Sequence, residues 1–253
     1  MSPYAWGGDA EAFVLVPGLA LSYLLATRGE ASPRRIAAFI AGLVLILAVF
    51  VTPVQAMALH YLLAAHLLQN VVLAEWAPAL CVVGIPPPLA SALGRIGAVR
   101  VATHPLVALP LWLGTYFAWH VPVAYDTALE HPTWMLHLEH LCYFVTGCLL
   151  WWPIVHSAPR RLHDAAKAVY LFAAFVLASP LGLLLALLPR PVYDFYARAP
   201  ERLWGLSRLA DQQLAGLTMA TEQAIVFFAV FAFFFLRFLR DEEPALDLQR
   251  VRG

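Results

Sequence analysis

Seven apolar stretches, at about residues 10–27, 35–52, 58–83, 103–121, 133–155, 166–188 and 212–238, alternate along the chain with short runs of Pro, Gly and charge. A hydrocarbon core about 30 Å thick needs roughly 20 apolar residues in a helix, and each stretch comes close to that length. The pattern predicts an all-α fold, a polytopic membrane protein built as a seven-transmembrane-helix bundle in a single integral membrane domain. The punctuation falls at Arg28 to Arg35, Thr52-Pro53, Ile85 to Arg100, Pro122 to Pro132, Ser157 to Asp164 and Pro189 to Asp211. The first stretch is short and contains Pro17, but no basic region precedes it. It therefore reads as a retained helix rather than a cleaved signal.

Charge placement sets an orientation, because loops that stay in the cytoplasm carry the excess of Lys and Arg. Arg28, Arg34, Arg35, Arg95, Arg100, Arg160, Arg161, Lys167, Arg237, Arg240, Arg250 and Arg252 fall on one side. Arg190, Arg198, Arg202 and Arg208, all between the last two stretches, fall on the other. Alternation holds at every crossing, so the N-terminus is expected outside and the C-terminus in the cytoplasm. Composition agrees: 62% of residues are apolar and 13% charged, too greasy for an ordinary soluble domain. Basic and acidic residues balance at 16 each, so no basic surface points to nucleic acid. Cys81, Cys142 and Cys148 sit inside apolar runs and read as small hydrophobes, not as a disulfide framework. The long loop before the last stretch, with Tyr193, Phe195, Tyr196 and Trp204, reads as an interfacial segment or as an ordinary solvated loop. Aromatic belts account for Trp151 and Trp152 at one level and for Trp119, Tyr125 and Trp134 at the other.

Orientation gives every histidine a depth. A continuous third helix puts His60 in its first outer turn and His66 roughly 10 Å deeper at 1.5 Å per residue. His120 ends the fourth helix, and His137 and His140, three apart and on one face, begin the fifth. Met57 shares a face with His60, and Met219 on the last helix lies at a depth similar to His66. Imidazole plus thioether suits cuprous copper, whereas hard cations would want more carboxylates. His60 and His131 also fit the plainer role of hydrogen-bonding residues at the interface, and Met57 and Met219 that of packing residues. His66, His137 and His140 lie within lipid, where polar residues are costly and mark functional sites. Glu139, expected where water reaches it, is a candidate partner for a ligating imidazole or a snorkelling acid. Glu222 lies near the midplane at the depth of Gln69 and Asn70. Ionised there it would cost about 2.5–3.5 kcal/mol, so it is expected neutral or hydrogen-bonded.

The order of these landmarks resembles a known family. A His-rich third helix runs into Ala77-Pro78 and Gly84-Ile85-Pro86. Then come His104-Pro105, Trp119-His120-Val121-Pro122 with Tyr125-Asp126, His137-Leu138-Glu139-His140, Gly147, Trp151-Trp152-Pro153, and Asp211-Gln212-Gln213 with Gly216. Over roughly residues 40–238 this is similar to the CtaG family of cytochrome c oxidase assembly factors, the multi-spanning bacterial type linked to caa3 oxidases. One departure follows Met219, where Ala220 stands in place of an expected aromatic residue. The resemblance implies a multi-pass protein of the bacterial plasma membrane that helps copper reach the oxidase copper centre. Its motif histidines would be His66, His120, His137 and His140, and its motif acids Asp126, Glu139 and Asp211. Copper would be held transiently. The partners implied are an oxidase subunit, the lipid bilayer and a periplasmic copper chaperone.

Two other classes stay open on sequence: a b-type haem redox protein, and a copper or proton-coupled transporter working through Glu222 and the Gln69/Asn70 level. No nucleophile, acid and base fall together, so an enzyme is not expected.

Overall fold

The computed structural model describes residues 2–8, 10–199 and 203–250, with side chains described at 2–8, 12–199 and 203–241. Arg202 and Arg252, counted in the charge pattern, lie outside the described residues, and so does the side chain of Arg250. Among the described residues every regular element is helical: α1 (Ala10–Thr27), α2 (Pro33–Val51), α3 (Pro53–His60), α4 (Leu63–Val71), a π turn (Val72–Trp76), α5 (Ala77–Gly84), α6 (Pro87–Gly94), α7 (Gly97–Ala102), α8 (Pro105–Trp119), α9 (Pro122–Glu130), α10 (Met135–Val155), α11 (Asp164–Leu187), α12 (Asp194–Ala197) and α13 (Arg208–Arg250). Five spans are long and apolar enough to cross a membrane: Pro33–Val51, Leu63–Gly84, Met135–Val155, Asp164–Leu187 and Arg208–Asp241. The pair α8 and α9, bent by 73°, makes up to six, and α1 is a shorter apolar helix. The chain is a multi-pass membrane protein by these helices.

Proline writes much of the punctuation. Helices α2, α3, α6, α8 and α9 begin with Pro in their first turn, where the missing N–H costs nothing. Pro122 also explains the bend, since the residue before a proline is driven out of the helical region. Val121 is extended, α8 stops at Trp119, and α9 leaves in a new direction where an irregular loop was expected.

The third stretch is not the continuous helix its hydropathy suggested. It breaks at Tyr61 and Leu62, with Leu62 extended, and restarts at Leu63. Met57 and His60 therefore sit on a separate short helix, where they still share a face, but the depth relation drawn between His60 and His66 along one continuous helix does not hold. The restarted helix needs partners for its first N–H groups. Asp211 of α13 supplies them: its Oδ2 accepts from Leu63 N at 2.9 Å and its Oδ1 from Ala64 N at 3.1 Å.

Three further expectations are corrected by burial. Trp151 and Trp152 belong to the core, Trp151 stacked on Phe227 and Trp152 donating to the Ala158 carbonyl at 2.8 Å. Tyr125 is fully buried as well, whereas Trp134 is exposed as a belt residue should be. The loop between α11 and α13 keeps Trp204 exposed, as a surface segment should, but sends Tyr193 and Tyr196 inward to be buried. Tyr125, Tyr193 and Tyr196 cover the polar groups described next, whereas Trp151 and Trp152 pack near the other end of α10.

Candidate functional site

Five elements converge on one buried polar cluster. Helix α4 brings His66 and, one turn on, Asn70; α10 brings Glu139, His140 and Tyr143; His120 follows α8; Tyr125 comes from α9; Tyr193 and Tyr196 come from the inward loop and α12. All are at most 8% exposed. His66 and His140 have ring centroids 6.3 Å apart. His66 Nε2 lies 3.9 Å from Glu139 Oε1, which accepts from Asn70 Nδ2 at 3.0 Å. Glu139, expected within reach of water, is fully buried because α4 and the tyrosines cover it. The Tyr125 ring separates the other imidazoles, 5.1 Å from His66 and 5.9 Å from His120, and stacks on Tyr193 at 4.1 Å.

Hydrogen bonds fix which nitrogen of the His66 and His120 rings carries the proton. His66 Nδ1 lies 3.0 Å from the Tyr196 hydroxyl, and that hydroxyl donates to the Ala58 carbonyl. A hydroxyl has one proton, so His66 Nδ1–H is the donor and Nε2 keeps its lone pair. Burial first, then the carboxyls of Asp211, Glu139 and Asp126, hold the Tyr196 proton on by pushing its pKa well above the usual phenol range. For His120 the argument is shorter: Nδ1 is 2.7 Å from the Tyr116 carbonyl, which only accepts. The Tyr143 hydroxyl, 3.2 Å from the same nitrogen, accepts a share of that N–H. His120 thus also presents its lone pair at Nε2, and no hydrogen-bond partner among the described residues reaches Nε2 of either His66 or His120. An Nδ1–H anchored to oxygen with Nε2 open is the form in which imidazole binds a metal.

The motif acids position this cluster. Asp211 caps α4 three residues ahead of His66. Asp126 does the same for α12, accepting from Asp194 N and Phe195 N at 3.1 Å each, just before Tyr196. Each carboxylate therefore fixes one end of the His66–Tyr196 hydrogen bond. Gln212 adds a third tie, accepting from Val192 N at 2.8 Å and donating to the Leu185 and Arg190 carbonyls. Tyr193 closes the lid with a hydrogen bond to the His120 carbonyl at 3.1 Å.

The remaining candidates fall outside the centre. His137 is half-buried, one turn before His140 on α10. His60 is exposed, and His131 is exposed with its Nδ1 on the Thr127 carbonyl. Met57 packs in a small separate cluster with Tyr61, Leu62 and Leu203, and Met219 is buried in the main core. Among the described residues no three His, Cys, Asp or Glu side chains are arranged to hold a metal ion together. Gln69 and Asn70 do not extend toward Glu222. Gln69 donates to the Val49 carbonyl at 3.0 Å and to Gln55 at 2.5 Å, and Asn70 belongs to Glu139. Sequence reasoning missed the five tyrosines Tyr116, Tyr125, Tyr143, Tyr193 and Tyr196. Their signal was an excess of hydroxyl-bearing aromatics around the histidine motifs, in the Tyr125-Asp126 turn and in the Tyr193 to Tyr196 loop.

The comparisons with known proteins agree with the motif order. No curated protein and no solved structure matches the chain significantly. A family model described as cytochrome c oxidase caa3 assembly factor matches residues 19–241, the length that holds every residue of the cluster. The chain belongs to the family of cytochrome c oxidase caa3 assembly factors.

Proposed function

We propose that this assembly factor, acting without catalysis, holds one copper(I) ion transiently at the His66/His140 pair and passes it to an oxidase subunit. The observation that carries the reading is the buried, adjacent pair of imidazoles, with His66 Nδ1 anchored to Tyr196 and its Nε2 lone pair open. Cuprous copper is satisfied by two nitrogen donors, so a pair suffices where the described residues form no three-residue group. Neutral imidazoles and tyrosine hydroxyls suit a soft monovalent ion, and a single carboxyl, Glu139, offsets its charge. Half-buried His137, one turn nearer the start of α10, is placed to receive the ion from a periplasmic copper chaperone. Ligands on different helices release the ion when α4 and α10 shift relative to one another.

On this reading the protein crosses the bacterial plasma membrane seven times, with α1 as the first crossing and the bent α8–α9 pair as one. The N-terminus lies outside and the C-terminus in the cytoplasm. Arg161, Lys167 and Arg237 gather around one cavity at one end of the bundle, where the cytoplasmic excess of cations belongs. The histidine cluster lies toward the other end, beside the Arg198–Glu130 ion pair.

Anaerobic loading of the detergent-purified protein with copper(I), followed by metal analysis and a visible spectrum, tests the reading. Near-stoichiometric copper in the parent, lost in His66→Ala/His140→Ala and without a Soret band, is the expected result. Equal copper in both proteins, or none in either, would remove the ion from the function and leave a scaffold for the oxidase.

A further inference from the structure

A second polar centre lies in the membrane core, away from the histidines. The π turn Val72–Trp76 widens the helix by one residue, a device that recurs at functional sites, and turns Glu75 into the bundle. Glu75 is fully buried and Glu222 of α13 is 7% exposed, and crossed hydrogen bonds set the two carboxyls side by side: Gln223, next to Glu222, reaches Glu75, and Trp76, next to Glu75, reaches Glu222. Each Oε1 has a donor of its own. Gln223 Nε2 reaches Glu75 Oε1 at 3.1 Å, and Trp76 Nε1 reaches Glu222 Oε1 at 2.5 Å. The two Oε2 atoms are buried, and no donor from the described residues reaches either. Two buried carboxyls side by side, each with one oxygen that no donor reaches, favour a proton held on the pair over two like charges.

Among the described residues no side chain beside the pair supplies a positive charge. Tyr116 faces the pair from α8 through Gln223, whose Nε2 also donates to the Tyr116 hydroxyl at 2.8 Å. Helix α10 contributes Trp151, Ile154 and Val155, and α2 has no ionisable side chain between Ile36 and Val51. A groove of about 510 Å³ runs from Glu75 and Trp76 to Lys167 of α11 and Arg237 of α13. Both cations are engaged at its far end, Arg237 with Asp164 at 3.0 Å and Lys167 over the Phe234 ring at 4.7 Å. Two ionised carboxylates side by side, within lipid and with no described cation beside them, would be held at a steep cost.

We propose that Glu75 and Glu222 form a proton-binding site, loaded along this groove from the Lys167/Arg237 face, independently of the copper reading. The step is a single proton transfer. A hydronium ion gives its proton to an Oε2 of the pair, a carboxyl O–H forms, water leaves, and the charge of the pair falls from two to one. The proton goes no further. Gln223 faces Glu75 and the Tyr116 hydroxyl with its amide donor, so it holds the pair in place and does not take the proton on from it. Its loss would set two negative charges against each other and press α13 away from the π turn. The site is therefore a charge-sensitive joint between these elements, not a channel.

Dicyclohexylcarbodiimide, which modifies protonated carboxyls in apolar surroundings, tests this on the detergent-purified full chain, with the modified residue mapped by mass spectrometry. Modification of Glu75 or Glu222 is expected, its rate falling about tenfold per pH unit above the titration midpoint. An acid-minus-alkaline infrared difference spectrum should show a protonated-carboxyl band that shifts in deuterium oxide and vanishes in Glu75→Gln/Glu222→Gln. Labelling that ignores pH, or that Na⁺ or K⁺ blocks at constant pH, would overturn the proposal, the second result making this a cation site. A carboxyl band that persists in the double variant would overturn it too. Should that variant not fold, the mapped residue and the pH dependence of labelling in the parent decide alone.

Discussion

Tyr196 shows how much of the site rests on single hydroxyls. It accepts from His66 Nδ1 and donates to Ala58, so Tyr196→Phe strands a buried N–H and a buried carbonyl together. That should cost about 1–3 kcal/mol of stability, measurable as a lower melting temperature. On the proposed copper reading it should also weaken copper(I) binding by about 10–100-fold in a competition titration, the scale of losing a group that orients a ligand. Sequence did not reveal this residue, because tyrosine counts as apolar in a hydropathy trace while histidine stands out. Glu75 was hidden differently, between Ala74 and Trp76 in a run that reads as plain helix. His156 gives a prediction in pH. Just past α10, it is buried with Nε2 donating to the Val82 carbonyl at 3.0 Å, and burial pushes its pKa down to about 4. The unfolded chain binds the extra proton first, so stability falls as pH drops from about 6.5 toward 4. His156→Gln keeps an N–H donor but does not titrate, and its melting temperature should fall less steeply across that window.

At the scale of elements, the break before α4 was the least legible feature and the one with the clearest cause. Tyr61 and Leu62 are apolar, and neither Gly nor Pro marks the spot. The helix restarts because a carboxylate 148 positions away in the chain caps it, which local pattern cannot register. The bend at Val121-Pro122 was legible by contrast, since proline acts on its own neighbour. Asp211→Ala should destabilise the protein by about 0.5–2 kcal/mol, the usual range for a lost N-cap. The signature that separates a cap from a metal partner is local: hydrogen exchange at the Leu63 and Ala64 amides should rise first. Asp211→Asn keeps one acceptor oxygen and should protect only one of the two amides. Asp126→Ala should act in the same way on Asp194 and Phe195, loosening the lid while leaving α4 intact.

For the whole molecule the decisive feature is how closely helices approach where lipid provides no hydrophobic drive between them. Association then depends on packing, and small residues let backbones meet. Helices α11 and α13 meet at Gly182 and Gly216: a Cβ on Gly216 would lie 2.5 Å from Ala186 N and 2.5 Å from Gly182 O. Gly147 of α10 is tighter still, 2.2 Å from the Ala74 carbonyl oxygen in the π turn that carries Glu75. Because the obstructing atoms are backbone, no side chain can swing away to relieve the overlap. Overpacking of an ordinary core costs about 1–3 kcal/mol, and these two sites belong at or above the upper end. Gly216→Ala should therefore separate α13 from α11, carrying Asp211 away from α4 and Glu222 away from Glu75 at once. Both centres would fail together, as lower copper(I) loading and as loss of carbodiimide labelling in the same sample. Gly114 of α8 provides the control, since nothing lies within 4 Å of a Cβ placed there. Gly114→Ala should leave both readouts unchanged and raise stability by about 0.5–1 kcal/mol, the usual gain for alanine in a helix interior. If Gly216→Ala left copper loading and labelling at the parent's level, the two helices would not be locked at that contact.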